Sequence, residues 1–489
     1  MAADAARKRM GSKGLRLAGS RGGAPALLPT EAPSVAEDTD GLPIPKRYWA
    51  ILTIALGLIM AVLDGAIANV ALPTIARELN VSPASSIWVV NAYQLAVTVS
   101  LLPLAALGDI LGYRRVYQMG LVVFTVASLV CARSESLTML ALARMAQGLG
   151  ASGIMSVNTA LIRFIYPRSK LGTAMGVNAM LVAVSSAVGP TVASAILSVA
   201  SWPFLFYVNV PIGVLALWLG LRNLPDTGRA AHRFDAISAV LSAATFGALI
   251  VGVDGLGQGE NKALVVAELG FAAIAGYFLI QRQLSRSHPL LPVDLLRIPI
   301  FGLSIATSIC SFAAQTLAYV SLPFYLQNVL GRSQVETGLL MTPWPLTVAI
   351  VAPIAGRLVD RFSAGLLGGI GLVSMATGLL LLAFLPAHPS GMDIAWRLVV
   401  CGFGFGLFQT PNNRAMIGAS PPSRSGAAGG MLATARLLGQ TLGAAMVAVI
   451  FGLVPSNATT VTLLTAAGIA IVATGVSLLR LRPASVLRR

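Results

Sequence analysis

Charged residues are scarce in this 489-residue sequence: they make up 11% of the chain, whereas hydrophobic residues make up 56%, and the mean hydropathy is +0.80. Soluble globular proteins carry about a quarter charged residues, so the low charge excludes that class. The apolar segments run for roughly 20 residues without interruption, whereas the strands of a membrane barrel alternate over about ten residues. The composition therefore predicts an all-α polytopic membrane protein.

Cysteine and histidine are also rare, with three residues of each. Cys131, Cys310 and Cys401 fall within predicted helices at spacings that are not typical of metal ligands or disulfide pairs, so we interpret them as small packing residues. The histidines lie in predicted loops, and we expect no metal site. The sequence has no Walker motif, which gives no support for an enzyme and leaves an ion gradient as the expected energy source, without a cofactor.

Hydropathy predicts fourteen membrane spans separated by short polar turns. Each apolar stretch is long enough for a helix to cross a bilayer core, and residues 1–47 before the first stretch read as a disordered cytoplasmic tail. The first span is too long for a cleaved signal, so we expect it to be retained as a helix. The predicted spans are 48–76, 85–107, 115–133, 136–162, 171–199, 203–221, 235–254, 262–281, 298–327, 334–356, 364–386, 393–418, 425–454 and 459–480.

The net charge of +16 is distributed unevenly between the two sides of the predicted membrane. Of the 34 Lys and Arg residues, 26 fall on the side of the N-terminus, five on the opposite side and three inside spans. This is the bias of the positive-inside rule, so we expect both termini in the cytoplasm. The basic excess is then expected to meet anionic lipid at the cytoplasmic face and not nucleic acid.

A weak internal repeat appears in two cytoplasmic turns, where an acid stands beside bases. Asp109 precedes Arg114 and Arg115 after span 2, and Asp360 precedes Arg361 after span 10. The halves align only if spans 7 and 8 are an insertion. The predicted organisation is a tail at 1–47, a six-helix bundle at 48–222, two linking helices with a cytoplasmic loop at 223–297, a second six-helix bundle at 298–481 and a tail at 482–489.

Asp64 stands near the middle of span 1. Thirty residue steps separate Arg47 from Arg77, which corresponds to ~45 Å of helix, the thickness of a bilayer with its headgroups. An ionised carboxylate at that depth costs at least ~2.5–3.5 kcal/mol. We therefore expect Asp64 to be a functional group that faces a cavity; the alternative is an Asp that is permanently paired to stabilise the bundle.

Several segments resemble the fourteen-helix drug:proton antiporters of the major facilitator superfamily, the EmrB/QacA type, over nearly the whole chain. Their order and spacing make the resemblance specific, although each segment alone is a weak signal. The segments are Leu63-Asp64-Gly-Ala-Ile-Ala-Asn69-Val-Ala-Leu-Pro73, Arg144-Met-Ala-Gln147-Gly148-Leu-Gly150, Ala187-Val-Gly189-Pro190, Trp202-Pro-Phe-Leu-Phe-Tyr-Val-Asn209-Val-Pro211-Ile-Gly213, Thr410-Pro411-Asn412-Asn413 and Arg436-Leu-Leu-Gly439.

The resemblance implies the major facilitator fold, in which two six-helix bundles rock about a central cavity. Asp64 and Arg144 are then expected to couple proton flow to that motion, because the base favours the charged carboxylate while loss of water disfavours it. Gating is expected from Asp109, Gly112, Arg114, Arg115, Gly189, Pro190, Gly356, Asp360 and Arg361, with the two acids pairing with Arg115 or Arg361 or capping a neighbouring helix when the inner gate is shut. Candidate cavity and substrate residues are Asn69, Tyr93, Phe324, Tyr325, Trp344, Phe408, Gln409, Asn412, Asn413 and Arg436, although the aromatic members are equally explained by packing and Arg436 by a buried structural role.

The sequence thus predicts a proton-driven multidrug efflux antiporter of a bacterial inner membrane, which exports cationic or neutral amphipathic drugs, dyes and antiseptics. Because Asp64 is one acid against two bases, Arg144 and Arg436, a strong preference for dicationic substrates is not expected, and anionic substrates remain an open alternative. The alternatives are an exporter of a dedicated metabolite, lipid or peptide, and a non-transporting receptor or scaffold. We expect a monomer, alone or with a periplasmic adaptor.

Overall fold

The computed structural model describes residues 41–167, 170–227, 234–258, 261–286, 291–421 and 424–481. Within these ranges the secondary structure is helical and contains no strand. We number the fourteen long helices α1 (Lys46–Glu78), α2 (Pro83–Leu111), α3 (Tyr113–Ala132), α4 (Leu137–Ile165), α5 (Leu171–Leu197), α6 (Phe204–Asn223), α7 (Ala236–Gln258), α8 (Lys262–Leu284), α9 (Pro299–Phe324), α10 (Gln334–Leu358), α11 (Ala364–Ala383), α12 (Gly391–Ala419), α13 (Ser425–Leu453) and α14 (Ala458–Leu479).

Thirteen of these helices are each long and apolar enough to cross a membrane, and α5 makes fourteen when its two bent halves are taken as one span. The all-α polytopic fold predicted from the sequence is therefore confirmed. The helix ends agree with the predicted spans to within a few residues. The predicted tails lie outside the described residues for 1–40 and 482–489.

The turn between α2 and α3 is shorter than the sequence indicated. The stretch 108–114 between predicted spans 2 and 3 was expected to form a loop, but the helix continues to Leu111 and the next helix begins at Tyr113. Gly112 alone makes the connection, with φ 94°, in the left-handed region that glycine adopts without a steric penalty. The prediction of a loop there was wrong, because a single glycine is enough to reverse the chain.

The helix contacts repeat at an interval of eight helices. In the first half α1 packs on α5 and α6, α4 packs on α2 and α3, and α3 packs on α6; in the second half α9 packs on α13 and α14, α12 on α10 and α11, and α11 on α14. Helices α7 and α8 pack on each other, and α7 also contacts α2 and α13. This pattern explains the weak sequence repeat, with α7 and α8 standing outside it.

The two halves meet through α2 with α13, α5 with α10, and α1 with α9. A glycine permits close approach at one of these crossings: a Cβ on Gly338 of α10 would lie 2.5 Å from the carbonyl oxygen of Pro190 of α5. Small residues at helix crossings allow this backbone contact within a membrane. A larger side chain at Gly338 would force the halves apart at this crossing.

Helix α5 bends by 43° between its segments Met180–Ser186 and Val188–Leu197. Pro190 lies just beyond the bend, and a proline removes one backbone hydrogen bond while its ring pushes against the carbonyl four residues earlier, here that of Ser186. The bend thus has an identifiable cause in the Gly189-Pro190 pair. It lies in a helix that contacts the opposite half through α10.

Candidate functional site

Asp64 on α1 is the centre of a buried polar network, with 2% of its surface exposed. Its Oδ2 accepts a hydrogen bond from the Arg144 guanidinium of α4. Its Oδ1 accepts from Gln147 Nε2 at 2.9 Å and from Asn209 Nδ2 of α6 at 2.8 Å. Both carboxylate oxygens are therefore occupied, and three helices of the first half converge on one side chain.

Arg144 is fully buried and is held on every side. Its Nε donates to the carbonyl oxygen of Val89 at 2.9 Å, and its Nη1 donates to Gln147 Oε1 at 2.6 Å as well as to Asp64. Its guanidinium carbon lies 4.2 Å from the centre of the Tyr93 ring, a cation–π distance. The pair is thus electrically neutral, desolvated and hydrogen-bonded, which is the condition under which a charge survives in a bilayer.

The local sequence explains how the network forms. Arg144 and Gln147 are three residues apart on α4 and so share one face. Gly148, next in sequence, lets α4 approach α2, since a Cβ there would lie 2.5 Å from the carbonyl oxygen of Tyr93. Sequence reasoning paired Asp64 with Arg144 by depth, but it did not assign Gln147 and Asn209 to the site, although both stand in the recognised segments.

In this arrangement the carboxylate has no route to water, because Asp64 and Arg144 are both sealed by their neighbours. A proton can reach Asp64 only if α1, α4 and α6 move relative to one another. Removing one partner of a buried pair costs ~3–5 kcal/mol. The carboxylate is therefore held in place by the packing of three helices.

The matching helices of the second half hold a different polar cluster, one without an acid among the described residues. Asn412 Nδ2 of α12 donates to Ser308 Oγ of α9 at 2.8 Å, and its Oδ1 accepts from Arg480 at 2.7 Å. Arg480 follows α14 and also donates to Ser304 Oγ at 3.1 Å. Burial of the guanidinium lowers the pKa of Arg480 to about 10. Sequence reasoning counted Arg480 only as a cytoplasmic charge and missed this cluster.

The candidate cavity residues divide into two groups. Trp344, Phe324 and Phe408 are packed in the interior of the second half, and Tyr93 and Asn412 are buried as well. Asn69 is 8% exposed, with an Oδ1 that has no partner among the described groups. Partly exposed side chains are found at Tyr325, Gln409, Asn413 and Arg436.

The first of the two acidic turns makes its contacts within its own half of the chain. Asp109 accepts a hydrogen bond from the Tyr113 hydroxyl. Arg114 donates to Asp226 at 2.9 Å, beyond the end of α6. Among the described residues no ion pair joins Asp109 to Arg115 in this conformation, and Arg115 is exposed beyond the single-residue turn at Gly112. The pairing expected for a shut inner gate stays a prediction.

The second acidic turn also makes its contacts within its own half of the chain. Asp360 forms an ion pair of 2.7 Å with Arg414 of α12 and not with the adjacent Arg361. Both partners are more than half exposed, at 60% and 58% of their side-chain surface. Gly356 lies one turn before Asp360 on α10 and beside α12, with a Cβ position 3.5 Å from Thr410. The turn therefore fastens α10 to α12 within the second half.

Most hydrogen bonds between the two halves lie at the opposite ends of the helices; the Thr98–Thr441 pair, at 3.1 Å near the middle of α2 and α13, is separate from them. Gln327, beyond α9, donates to the carbonyl oxygen of Val70 on α1 at 2.8 Å. The hydroxyls of Thr191 on α5 and Thr342 on α10 lie 2.7 Å apart. Ser194 donates to the carbonyl oxygen of Val335 at 3.0 Å. No sequence motif indicated a role for these residues. Their position near facing helix ends is apparent only from the three-dimensional structure.

Comparison with known proteins agrees with this architecture. The sequence model of the Major Facilitator Superfamily matches residues 54–444. The chain is 60% identical over 444 residues to the "Uncharacterized transporter YebQ" of Escherichia coli, covering 90% of this chain and 97% of that protein. It is 34% identical to the "Multidrug resistance protein Stp" of Mycobacterium tuberculosis, covering 82% and 75%, and 31% identical to the "Riboflavin transporter RibZ" of Clostridioides difficile, covering 82% and 87%.

Solved structures show the same fold at low sequence identity. A bacterial homolog of the human lysosomal transporter Spinster, in an inward-facing and unoccupied conformation, superposes with a TM-score of 0.63 at 18% identity and covers 91% of this chain and all of that one. A peptide transporter of the POT type superposes with a TM-score of 0.67 at 15% identity, covering 88% and 93%.

Proposed function

This chain belongs to the Major Facilitator Superfamily of membrane transporters, and on that premise we propose that it is a proton-coupled antiporter that exports amphipathic compounds by alternating access. The observation that carries the proposal is the buried Asp64–Arg144 pair, in which both carboxylate oxygens are occupied within the membrane. Such a group is expensive to keep in a bilayer and is expected where ions pass.

The proposed cycle begins with a proton that reaches Asp64 when the first half loosens. The protonated carboxyl no longer balances Arg144, so the guanidinium turns to Gln147 and the Val89 carbonyl, which it already contacts. The contacts between α1, α4 and α6 then weaken together. Release of the proton on the other side restores the pair, and the two packings correspond to the two orientations of the cavity.

The hydrogen bonds between the halves support a transporter that is closed at one end. Apart from the Thr98–Thr441 pair near the middle of α2 and α13, they join α1 to the end of α9 and α5 to α10, at the helix ends that the charge bias assigns to the outside. The acidic turns at the other end fasten helices only within each half. We therefore assign this conformation to the state with its outer gate shut.

We further propose a bacterial inner-membrane location with both termini in the cytoplasm, anionic lipid at the basic face and a monomeric unit, alone or with a periplasmic adaptor. A tag at residue 20, near residue 228 or at the C-terminus should be protected from external reagents in intact cells. Labelling at any of these positions would overturn the proposed orientation.

Relatives support export of amphipathic compounds as the cargo class. Besides the multidrug resistance protein, they include the "Multidrug efflux pump LfrA" of Mycolicibacterium smegmatis, at 30% identity over 83% of this chain. A second candidate, transport of one dedicated metabolite, is favoured by the riboflavin transporter among the relatives. The two differ in breadth: a drug pump protects against several unrelated compounds, and a dedicated exporter protects against one or none.

The test is a susceptibility and dye-efflux panel in cells that lack their own pumps, with ethidium and rhodamine 6G as dyes. We expect the wild type to lower accumulation of several compounds and an uncoupler to abolish the effect. Asp64→Asn should abolish it too, whereas Glu135→Gln, which removes an exposed carboxylate, should leave efflux intact. Efflux that persists in uncoupled cells would contradict proton coupling.

A further inference from the structure

Arg436 is a cation within the membrane that has no protein partner among the described residues. It lies eleven residues into α13, ~16 Å from the start of the helix. No ion pair among the described residues includes Arg436, and its Nε is buried without a hydrogen-bond partner there. An arginine does not lose its proton in proteins, so this positive charge stands uncompensated.

The direction of Arg436 follows from what the rest of α13 touches. Thr441 contacts Thr98 of α2 at 3.1 Å, and Gly439 lies against Ile309 of α9. At 100° per residue, Arg436 falls between these two sides of the helix. Arg436 therefore points into the space between the two halves, and its side chain is partly exposed there.

Other polar side chains lie on α13 and on α12, a helix that contacts α13. Gln440 is one turn from Arg436 on the same face of α13, and Gln409 and Asn413 are one turn apart on α12. All three are partly exposed and have no side-chain hydrogen bond to any described residue. A polar side chain at this depth that has no hydrogen-bond partner in the protein and is not fully buried must contact water or a ligand. The space is thus a polar cleft with one positive charge.

The charge balance decides what the cleft attracts. Asp64 is already bound by Arg144, so its charge is cancelled inside the first half. Among the described side chains of the two sets of six helices, every other acid lies within the first or last turn of its helix, at Glu78, Asp109, Glu336 and Asp393. A cation in the cleft would meet Arg436 with no acid to offset it, whereas a planar guanidinium binds a carboxylate through two parallel hydrogen bonds.

We propose that Arg436, assisted by Gln440, binds a single anionic group of the exported compound, so that the cargo is an amphipathic molecule that carries a carboxylate or a similar anion. This inference rests on the proposed export function and narrows its substrate class. An apolar body would extend from the anion along the hydrophobic side chains that flank Arg436, such as Leu432.

The experiment uses two fluorescent probes with the same aromatic body, 7-diethylaminocoumarin-3-carboxylate and its neutral ethyl ester. Binding to the purified full chain is measured by fluorescence anisotropy for the wild type, Arg436→Gln, Arg436→Lys and the control Arg286→Gln, which removes an exposed positive charge outside the cleft. We expect the wild type and the control to bind the acid roughly tenfold more tightly than the ester, the size of one charge-assisted hydrogen bond. Arg436→Gln should reduce that ratio to about one without weakening the ester, and Arg436→Lys should keep part of it.

Equal affinities for acid and ester in the wild type, including no measurable binding of either, would overturn the anion site. A preference that survives Arg436→Gln would do so as well. Proton-driven uptake of both probes into inverted vesicles distinguishes this failure from that of the proposed function: transport without acid preference refutes only the anion site, and acid preference without uphill transport refutes only the antiport.

Discussion

Replacing Asp64 by Asn tests whether the buried carboxylate carries the coupled proton. Asp64 accepts three hydrogen bonds, from Arg144, Gln147 and Asn209, on two oxygens. An amide offers only one oxygen, so at least one donor loses its acceptor. If the present packing were the only one available, the loss would cost ~3–5 kcal/mol, a large part of a typical stability of ~5–15 kcal/mol.

We expect a milder result, because a site that is protonated in every cycle must have a second packing that accepts a neutral side chain. Asp64→Asn should therefore fold, as judged by yield and by a single peak in size-exclusion chromatography, and should fail to drive uphill transport. One pH unit across the membrane is worth about 1.4 kcal/mol per proton, or about tenfold accumulation. The variant should show accumulation no greater than that of empty vesicles.

The double variant Asp64→Asn with Arg144→Gln separates a proton carrier from a structural pair. It removes both charges and so leaves no uncompensated ion. If the pair only stabilised the fold, the single variant should express poorly and the double variant should regain both expression and uphill transport. We expect the double variant to express and still to lack uphill transport; recovered accumulation would refute the reasoning.

Three further outcomes follow from the fold. Asp109→Ala frees the Tyr113 hydroxyl at the α2–α3 turn. It should slow turnover but leave the substrate affinity of the purified protein within a few-fold of that of the wild type. Complete loss of substrate binding in a folded variant would contradict a gating role. The double variant Thr191→Cys, Thr342→Cys replaces two residues whose hydroxyls lie 2.7 Å apart. In a background without native cysteines it should form a disulfide that arrests transport until a reductant is added. Undiminished transport by the cross-linked protein would show that these ends of α5 and α10 do not separate. Burial raises the pKa of Asp235, but hydrogen bonds from Arg282 and Ser238 outweigh burial and lower that pKa to about 2. Asp235→Asn should therefore cost no more than ~1 kcal/mol of stability for a pair this exposed, and in thermal melts this loss should be constant above pH 5 and shrink below pH 4. A loss of stability that grows as the pH falls would contradict the lowered pKa.

The sequence predicted what depends on one helix at a time and missed what depends on how helices face each other. Asp64 was placed at the midplane because span length and helical rise are fixed by the bilayer. The occupancy of its second oxygen by Asn209 could not be predicted, because it requires the crossing of α1 and α6. Trp344 was a candidate for the cavity, yet it lies wholly within the second half, since hydropathy does not separate an aromatic side chain in a core from one in a cleft.

Polar residues near the membrane surfaces show the same limit. For a shut inner gate Asp360 was expected to pair with Arg115 or Arg361 or to cap a neighbouring helix; in this conformation it pairs with Arg414, on a helix that is remote in sequence. Gln327 carries a hydrogen bond between the halves, and it stands in no recognised segment. Proximity in sequence is a weak guide to ion pairs where chain turns are short and neighbouring helices supply competing partners.

Proton release on substrate addition tests the central claim most directly. Purified protein in weakly buffered detergent solution is mixed with a dye that the wild type exports, and a pH indicator records the protons released. We predict release from the wild type and none from Asp64→Asn or from its double variant with Arg144→Gln, each at protein concentrations matched for folded material. Equal proton release from the wild type and Asp64→Asn would contradict the assignment of Asp64 as the proton carrier.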